Sequence, residues 1–299
     1  MNEAFLAVVN PAAGGGRCRK LVAPALERLR ASGIKIDVVE TGGPGQGIKL
    51  AREAYSNGYR RFLAVGGDGT SYEIVNGIFP AAHGDQPTLA FLPLGTGNSF
   101  LRDFSDQGVD HAIAALVARR TRACDVLRLR HKRGVIHYIN LLSLGFTADV
   151  ATVRARYFNG LGHLGYLIAV FTCLARLRRR PFPLQVDGEG EIDRRPCLFL
   201  AFNNSKFTGG TMMIAPKAEV NDGKVEYVRW GPIGRLALIK NLPTLYDGTH
   251  INHPLAERHA ARRIDFHLDA PIDVMVDGEV LTLQCETLDV LPSALNVVV

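Results

Sequence analysis

Residues Phe62-Leu63-Ala64-Val65-Gly66-Gly67-Asp68-Gly69-Thr70 restrict the fold more than any other stretch of this chain. An apolar run of β-type residues stops abruptly at three glycines around a single carboxylate. Ser71, Tyr72 and Glu73 then lead into Ile74, Val75 and Ile78, whose spacing suits a helix. A strand, a glycine turn and a helix start is how α/β proteins present backbone N–H groups to phosphate at the carboxyl end of a parallel strand. Glycine accepts positive φ there and lets a polyphosphate approach the main chain. Asp68 does not serve phosphate directly, because like charges repel; a carboxylate in such a loop holds Mg²⁺ or orients a hydroxyl. On this stretch alone an ordinary βα turn stays open. Two familiar nucleotide loops are excluded. No GxxxxGKS or GxxxxGKT occurs, and Gly42, Gly43, Gly45 and Gly47, interrupted by Pro44, do not form GxGxxG.

Three further junctions repeat the pattern. Phe5–Val9 runs into Asn10-Pro11-Ala12-Ala13-Gly14 and an amphipathic helix carrying Leu21, Leu26 and Leu29. Ile34–Val39 leads through Thr41 and a glycine loop into a helix near Ile48–Tyr55. Leu89–Leu92 ends in Pro93-Leu94-Gly95-Thr96-Gly97-Asn98. Four strands that each feed a glycine-rich turn, three of them into helices, predict a parallel sheet with its loops at one edge. Near residue 125 the texture changes. Val126–Arg130, Ile136–Leu144, Leu198–Phe202, Val225–Arg229, Ile264–His267, Ile272–Val276 and Val280–Leu283 read as strands with few helices between them. A second, mainly antiparallel β domain is expected there. The division predicted is 1–124, 125–287, and a strand-like terminal stretch, 288–299. Leu161–Arg180 is the exception. Its apolar residues recur at helical spacing, and it ends in Arg176, Arg178, Arg179 and Arg180 before Pro181. That helix is a core helix with a cationic end, or one that flanks an apolar cleft and touches an anionic membrane through its arginines.

Composition excludes several classes. A chain of 299 residues with a 47% apolar fraction is globular and long enough for two domains. The formal charge, 35 − 29 = +6, suits nucleotides, anionic lipid surfaces and nucleic acid equally well. Cys18, Cys124, Cys173, Cys197 and Cys285 are odd in number and scattered, without CxxC, and are expected to be reduced thiols of a cytoplasmic protein. The chain reads into a strand without a signal peptide's basic and apolar regions. His250, His253 and His259 lie close together but lack HExxH, and no GxSxG nucleophile elbow occurs. The basic runs at 119–122 and 128–133 lack interleaved aromatics, so no nucleic-acid partner is expected.

Taken together, NPxxG, GGDGT with Glu73 and Asn76-Gly77, and LPLGTGN resemble the diacylglycerol kinase catalytic-domain family, which includes sphingosine and ceramide kinases and small soluble bacterial lipid kinases. The resemblance continues through Asn140–Phe146, Asn203-Asn204, Ile214–Ala218, Asp222-Gly223 and Asp277-Gly278-Glu279, across nearly the whole chain. It implies an NAD-kinase-like three-layer α/β domain followed by a β-rich domain, a terminal strand, 288–299, that would return to the first domain, and ATP and Mg²⁺ as cofactors. Asn10, Pro11, Gly14, Thr41, Gly66, Gly67, Asp68, Gly69, Thr70, Ser71, Tyr72, Glu73, Thr96, Gly97 and Asn98 would then surround the nucleotide. Glu279 would accept the proton, with Asp277 and Asp68 as further catalytic carboxylates. Asp222, with the carbonyls of Glu219 and Lys224, would hold a structural Mg²⁺. Asp149 would meet the polar head of the lipid, since Gly145-Phe146-Thr147-Ala148-Asp149-Val150 is similar to the sphingosine and ceramide kinase pattern. Ser99 stands where diacylglycerol kinases usually carry an aspartate. The acceptor implied is a lipid alcohol, diacylglycerol or a sphingoid base, met at a transient anionic membrane surface. A homodimer is one assembly left open. An NAD-kinase-like enzyme and a non-catalytic lipid or nucleotide sensor are the alternatives.

Overall fold

The computed structural model describes residues 3–82, 84–158 and 162–299. Alternation of apolar strands with amphipathic helices builds the first half. β1 (Phe5–Val9), β2 (Ile36–Glu40), β3 (Arg61–Gly66) and β4 (Thr88–Pro93) lie side by side in the order β4-β3-β1-β2, all parallel. β1, β3 and β4 are buried on both faces, which is why they read as unbroken apolar runs. On one side α1 (Arg17–Ala31) and α4 (Gly108–Val117) pack Leu26, Leu29, Ile113 and Leu116 against Leu63, Val65 and Leu92. On the other, α2 (Gln46–Ser56) and α3 (Asp68–Ile78) contribute Ala51, Tyr55, Ile74 and Ile78. The first domain is thus a three-layer α/β unit. Parallel strands whose crossovers share one hand leave the four strand-to-loop junctions on the same edge.

The second half is mainly antiparallel. β5 (Thr121–His131) and β6 (Gly134–Tyr138) form a hairpin. β7 (Leu141–Gly145) precedes α5 (Phe146–Tyr157) and α6 (Gly162–Ala175). Short strands follow: β8 (Arg180–Pro181), β9 (Leu184–Val186), β10 (Glu189–Asp193) and β11 (Pro196–Cys197). Next come β12 (Phe199–Asn203), β13 (Phe207–Thr208), β14 (Met212–Met213) and β15 (Val225–Trp230), then α7 (Arg235–Asn241) and α8 (Thr244–Asp247). β16 (Ala256–Ala261), β17 (Arg263–Phe266), β18 (Ile272–Val276), β19 (Glu279–Leu283) and β20 (Cys285–Val298) complete the chain. Six strands form one sheet in the order β16-β15-β12-β7-β18-β19. Leu142, Leu144, Leu200, Phe202 and Val274 on one face meet Leu127, Leu129, Ile264 and Leu288 of the larger sheet. The opposite face, with Ala201, Val228 and Trp230, lies under Phe146, Val150, Ala169 and Leu238 of the helices.

The larger sheet runs across the 124/125 division predicted from the sequence. β20 pairs parallel with β4 (Asn296↔Thr88) and antiparallel with β5 and β17. β9 and β10 extend that sheet. Two local expectations also shift. The run Ile136–Leu144 is two strands, β6 and β7, separated at Ile139-Asn140. The helix expected over 161–180 ends at Ala175, and its predicted start, Leu161, lies outside the described residues. Arg178 and Arg179 fall in the following loop, and Arg180 enters β8. No described helix is long and apolar enough to cross a membrane.

Candidate active site

The glycine loops meet backbone to backbone. Gly95 N–H donates to the Gly66 carbonyl (2.8 Å), and Asp68 N–H donates to the Gly97 carbonyl (2.9 Å). A Cβ on Gly67 would lie 2.7 Å from the Gly97 oxygen, and one on Gly95 would lie 2.7 Å from the Gly67 nitrogen. These positions exclude every side chain because the obstacle is backbone. Gly14, at φ +64°, approaches the Leu94 carbonyl in the same way (2.8 Å), so the loop after β1 joins the loop after β4. Asn10 N–H donates to the Val65 carbonyl (3.0 Å), and its side-chain oxygen accepts from Ala12 N–H (3.1 Å), which shapes the turn through Pro11. Thr41 N–H donates to the Val9 carbonyl (2.8 Å). Asn98 closes its own turn through Nδ2 to the Gly95 carbonyl (3.1 Å), in the loop that holds Thr96. Ser71 Oγ donates to the Asp68 carbonyl (2.8 Å). Thr70 Oγ1 is buried without a protein partner, an orphan hydroxyl in a loop suited to an oxygen-rich ligand.

Glu73 does something the sequence did not indicate. Its carboxylate accepts N–H bonds from Gly45 (2.5 Å) and Gly47 (2.8 Å), and so fixes the loop that opens α2. Two negatively polarised oxygens at a helix N-terminus also suit the helix dipole. Asn76 performs an equivalent task between domains. Its Nδ2 donates to the carbonyls of Tyr72 (2.9 Å) and His137 (2.8 Å), and its Oδ1 accepts from His137 N–H (2.9 Å). Tyr72 is buried beside the site. Burial, with the charges of Asp277, Glu279 and Glu73, raises its phenol well above the usual range.

The carboxylates come from both domains. Asp68 Oδ2 accepts from Ser99 N–H (3.0 Å); burial raises its pKa, and the Ser99 and Phe100 donors oppose that. Asp277 is buried, with φ +46°, and its carboxylate takes the N–H groups of Leu141 (2.8 Å), Asn140 (3.1 Å) and Ile139 (3.1 Å). Burial raises it to about 7, against those donors and with a contribution from Asp68. These bonds also break the run 136–144 into two strands. Glu279 keeps solvent access at the start of β19. Its Oε1 lies 2.6 Å from where a Cβ on Gly69 would sit, so the second domain's carboxylate reaches the N-terminus of α3. Loss of solvation, then the Glu73 charge, raises its pKa.

Ser99 and its neighbourhood tie the domains together. Ser99 Oγ accepts from Gly210 N–H (2.9 Å), and Asp103 accepts from Lys206 N–H through both oxygens (3.0 and 3.1 Å). Burial raises Asp103 to about 6. Asn204 Nδ2 donates to the carbonyls of Asp125 and Ile139 (both 3.0 Å), which places the Asn203-Asn204 motif at a structural junction. None of these links gave a short-range sequence signal, because each joins residues many tens of positions apart.

The structure does not bring Asp149 and Asp222 into this cluster of contacts. Asp149 takes Arg180 Nη2 on both oxygens (2.6 and 2.8 Å). Asp222 Oδ1 accepts from Lys224 N–H (3.0 Å) in the 219–224 turn. Buried Asp125 accepts from Gly223 N–H (2.7 Å) and Ser293 N–H (2.6 Å), binding that turn to β20. Among the described residues no group of three or more His, Cys, Asp or Glu side chains is placed to hold a metal. The donor set fits Mg²⁺ only in the manner Mg²⁺ prefers, with one or two carboxylates completed by carbonyls, water or phosphate.

Residues 4–129 match the diacylglycerol kinase catalytic domain model, and residues 140–299 match the YegS C-terminal NAD kinase beta sandwich-like domain model. The Mycobacterium tuberculosis (strain H37Rv) protein named diacylglycerol kinase is 29% identical, covering 97% of this chain and 93% of its own. The Bacillus subtilis diacylglycerol kinase is 24% identical, covering 91% and 88%. A crystal structure of a diacylglycerol kinase from Bacillus anthracis str. Sterne has the same fold, with a TM-score of 0.72 at 20% identity, covering 99% of this chain and 96% of that one.

Proposed function

The chain belongs to the lipid-kinase family that joins a diacylglycerol kinase catalytic domain to a YegS-type β-sandwich domain, and from that premise we propose that it transfers the γ-phosphoryl group of ATP to the hydroxyl of a lipid alcohol. The observation that carries this reading is the meeting of Glu279 with Gly69 at the N-terminus of α3. A phosphoryl acceptor held there would have an anion-binding helix end on one side and a proton acceptor on the other.

The roles follow from the surroundings of each group. The loops at Asn10–Gly14, Thr41, Gly66–Tyr72 and Thr96–Asn98 line the triphosphate, and their rigidity positions it before reaction. Glu279, raised yet solvent-accessible, takes the acceptor's proton. Asp277 is held by backbone donors and sets the hairpin that aims Glu279. Asp68 would hold Mg²⁺, which when bound would supply neutralisation of the phosphate charge. Asp222 with the carbonyls of Glu219 and Lys224 would hold a second, structural Mg²⁺.

Asp149 bears on the acceptor. An ammonium head group would have to displace the Arg180 guanidinium that already occupies both its oxygens. This favours an uncharged lipid alcohol of the diacylglycerol kind over a sphingoid base. The protein acts in the cytoplasm and meets its acceptor at the membrane surface.

Labelled γ-phosphate transfer to diacylglycerol, monoacylglycerol, sphingosine and ceramide in mixed micelles tests the reading, with NAD as a soluble control. Label on diacylglycerol that chelation of Mg²⁺ abolishes is the expected outcome. Label on sphingosine in preference would overturn the acceptor assignment, and label on NAD alone would move the protein to the dinucleotide kinases.

A further inference from the structure

The helices over the second sheet expose an apolar face that the transfer site does not use. In α6 the residues Leu164, Leu167, Phe171 and Ala175 are exposed. Their spacing of three and four places them on one stripe of the helix. Phe171 is 64% exposed, while Ala169, Cys173 and Leu174 on the other side are buried. The stripe leads directly to α7, because Arg235 donates from Nε to the Leu174 carbonyl (3.1 Å) and from Nη2 to the Ala175 carbonyl (2.9 Å). There a shallow groove is lined by Leu177, Arg179, Pro196, Pro232, Arg235 and Leu236. Leu236 is 84% exposed, and Ile239 next to Lys240 is exposed as well.

Exposed charge along the α6 stripe and on α7 is cationic: residues 150–186 contain six arginines and no Asp or Glu, and α7 carries exposed Arg235 and Lys240. Asp149 of α5 is paired with Arg180, and Asp247 of α8 is the acidic side chain that the layer exposes. Arg176, Arg178 and Arg179 are exposed at the end of the stripe. A contiguous apolar face of several large side chains is unusual on a soluble monomer. Edged by Arg176, Arg178, Arg179, Arg235 and Lys240, it is complementary to lipid acyl chains beneath anionic head groups.

We propose that the α6 stripe and the α7 corner form the face with which this protein docks on an anionic bilayer. The inference rests on the lipid-kinase reading for its purpose but not for its measurement. α5 packs on α6 and also on β18 and β19, the hairpin that carries Glu279. An acceptor leaving the bilayer through this layer would therefore arrive beside the transfer site without crossing water.

The test is flotation of the full chain, without nucleotide, on phosphatidylcholine vesicles with and without phosphatidylglycerol. Binding to the anionic vesicles is expected, weakening as salt rises. Because Leu167 and Phe171 are exposed, L167S/F171S keeps the fold, and its partitioning should fall by at least about tenfold. R176Q/R178Q should lower binding to the anionic vesicles alone. In parallel, L167S/F171S should lose transfer to long-chain diacylglycerol in vesicles and keep transfer to a short-chain, water-soluble diacylglycerol. Wild-type protein that stays off anionic vesicles would overturn the proposal, as would L167S/F171S protein that binds like the wild type. A wild-type dimer that becomes monomeric in L167S/F171S, with vesicle binding intact, would assign the face to a second copy instead. Vesicle binding without any kinase activity would leave docking standing and remove the lipid-kinase reading.

Discussion

At the carboxyl edge of the parallel strands, contacts run from backbone to backbone; across the helical layer of the second domain they run through side chains. No Cβ fits on Gly67, against the Gly97 carbonyl, or on Gly95, against the Gly67 main chain. α5, α6 and α7 hold their place through Phe146, Val150, Ala169 and Leu238, and leave Phe171 and Leu236 facing outward. The first arrangement presents fixed N–H dipoles and tolerates almost no change. The second buries one apolar face, exposes another, and tolerates substitution on the exposed one. The difference matches two ligand chemistries, a polyanion on one side and a greasy alcohol on the other.

The sharpest way to break this contrast is at its junction. Asp277→Ala removes the acceptor of three buried N–H groups. Each orphaned donor costs about 1–3 kcal/mol, so chemical denaturation should show a loss of at least about 3 kcal/mol. Gly95→Ala should cost about 2 kcal/mol and weaken nucleotide binding, because its Cβ meets backbone that cannot turn aside. A Gly95→Ala protein as stable as the wild type would show that the loops are less rigid than described. Gly69→Ala is the informative partner. Its Cβ meets only the end of the Glu279 side chain, so stability should change by less than about 1 kcal/mol while transfer activity falls.

Titration of Asp277 separates the regions further. Its folded pKa is about 7, above an unfolded value near 3.9. The folded chain holds the proton more tightly, so this group's stabilisation is complete at low pH and is lost as pH rises through about 7. Melting temperatures from about pH 4 to pH 8 should therefore fall more steeply for the wild type than for Asp277→Asn. The smallest effect belongs to the surface. Arg128 and Asp289 pair at 2.8 Å while partly solvated, and Arg128→Ala should cost no more than about 1 kcal/mol.

Local chemistry was legible in the sequence, and distant pairing was not. The glycine loops at 66–70 and 95–98 announce themselves because only glycine meets their steric demand. Gly278, at φ +90°, likewise marks the hairpin that carries Glu279. The break between β6 and β7 was not read, since Ile136–Leu144 is rich in strand-forming residues and Asn140, the polar residue at the break, is no turn signal by itself. The Asp277 carboxylate that divides it lies more than a hundred residues away. Separation along the chain also hid the antiparallel pairing of β20 with β5 and β17, the pairing of Arg180 with Asp149, 31 residues apart, and the use of Glu73 as a clamp on the loop before α2, 28 residues away. Arg180 reads from the sequence as the cationic end of a helix. Its place in β8, immediately before Pro181, brings it to a carboxylate instead.

The central claim is that a carboxylate of the second domain completes a phosphate site built by the first. Single-turnover transfer from Mg-ATP to diacylglycerol by Glu279→Gln protein, with ATP affinity measured in parallel, tests it most directly. A loss of roughly 10²–10⁴-fold in rate with ATP affinity unchanged is expected. The acid limb of the wild-type rate profile should lie above the ordinary glutamate value of about 4.3 and disappear in the variant. Transfer at the wild-type rate by Glu279→Gln would contradict the claim.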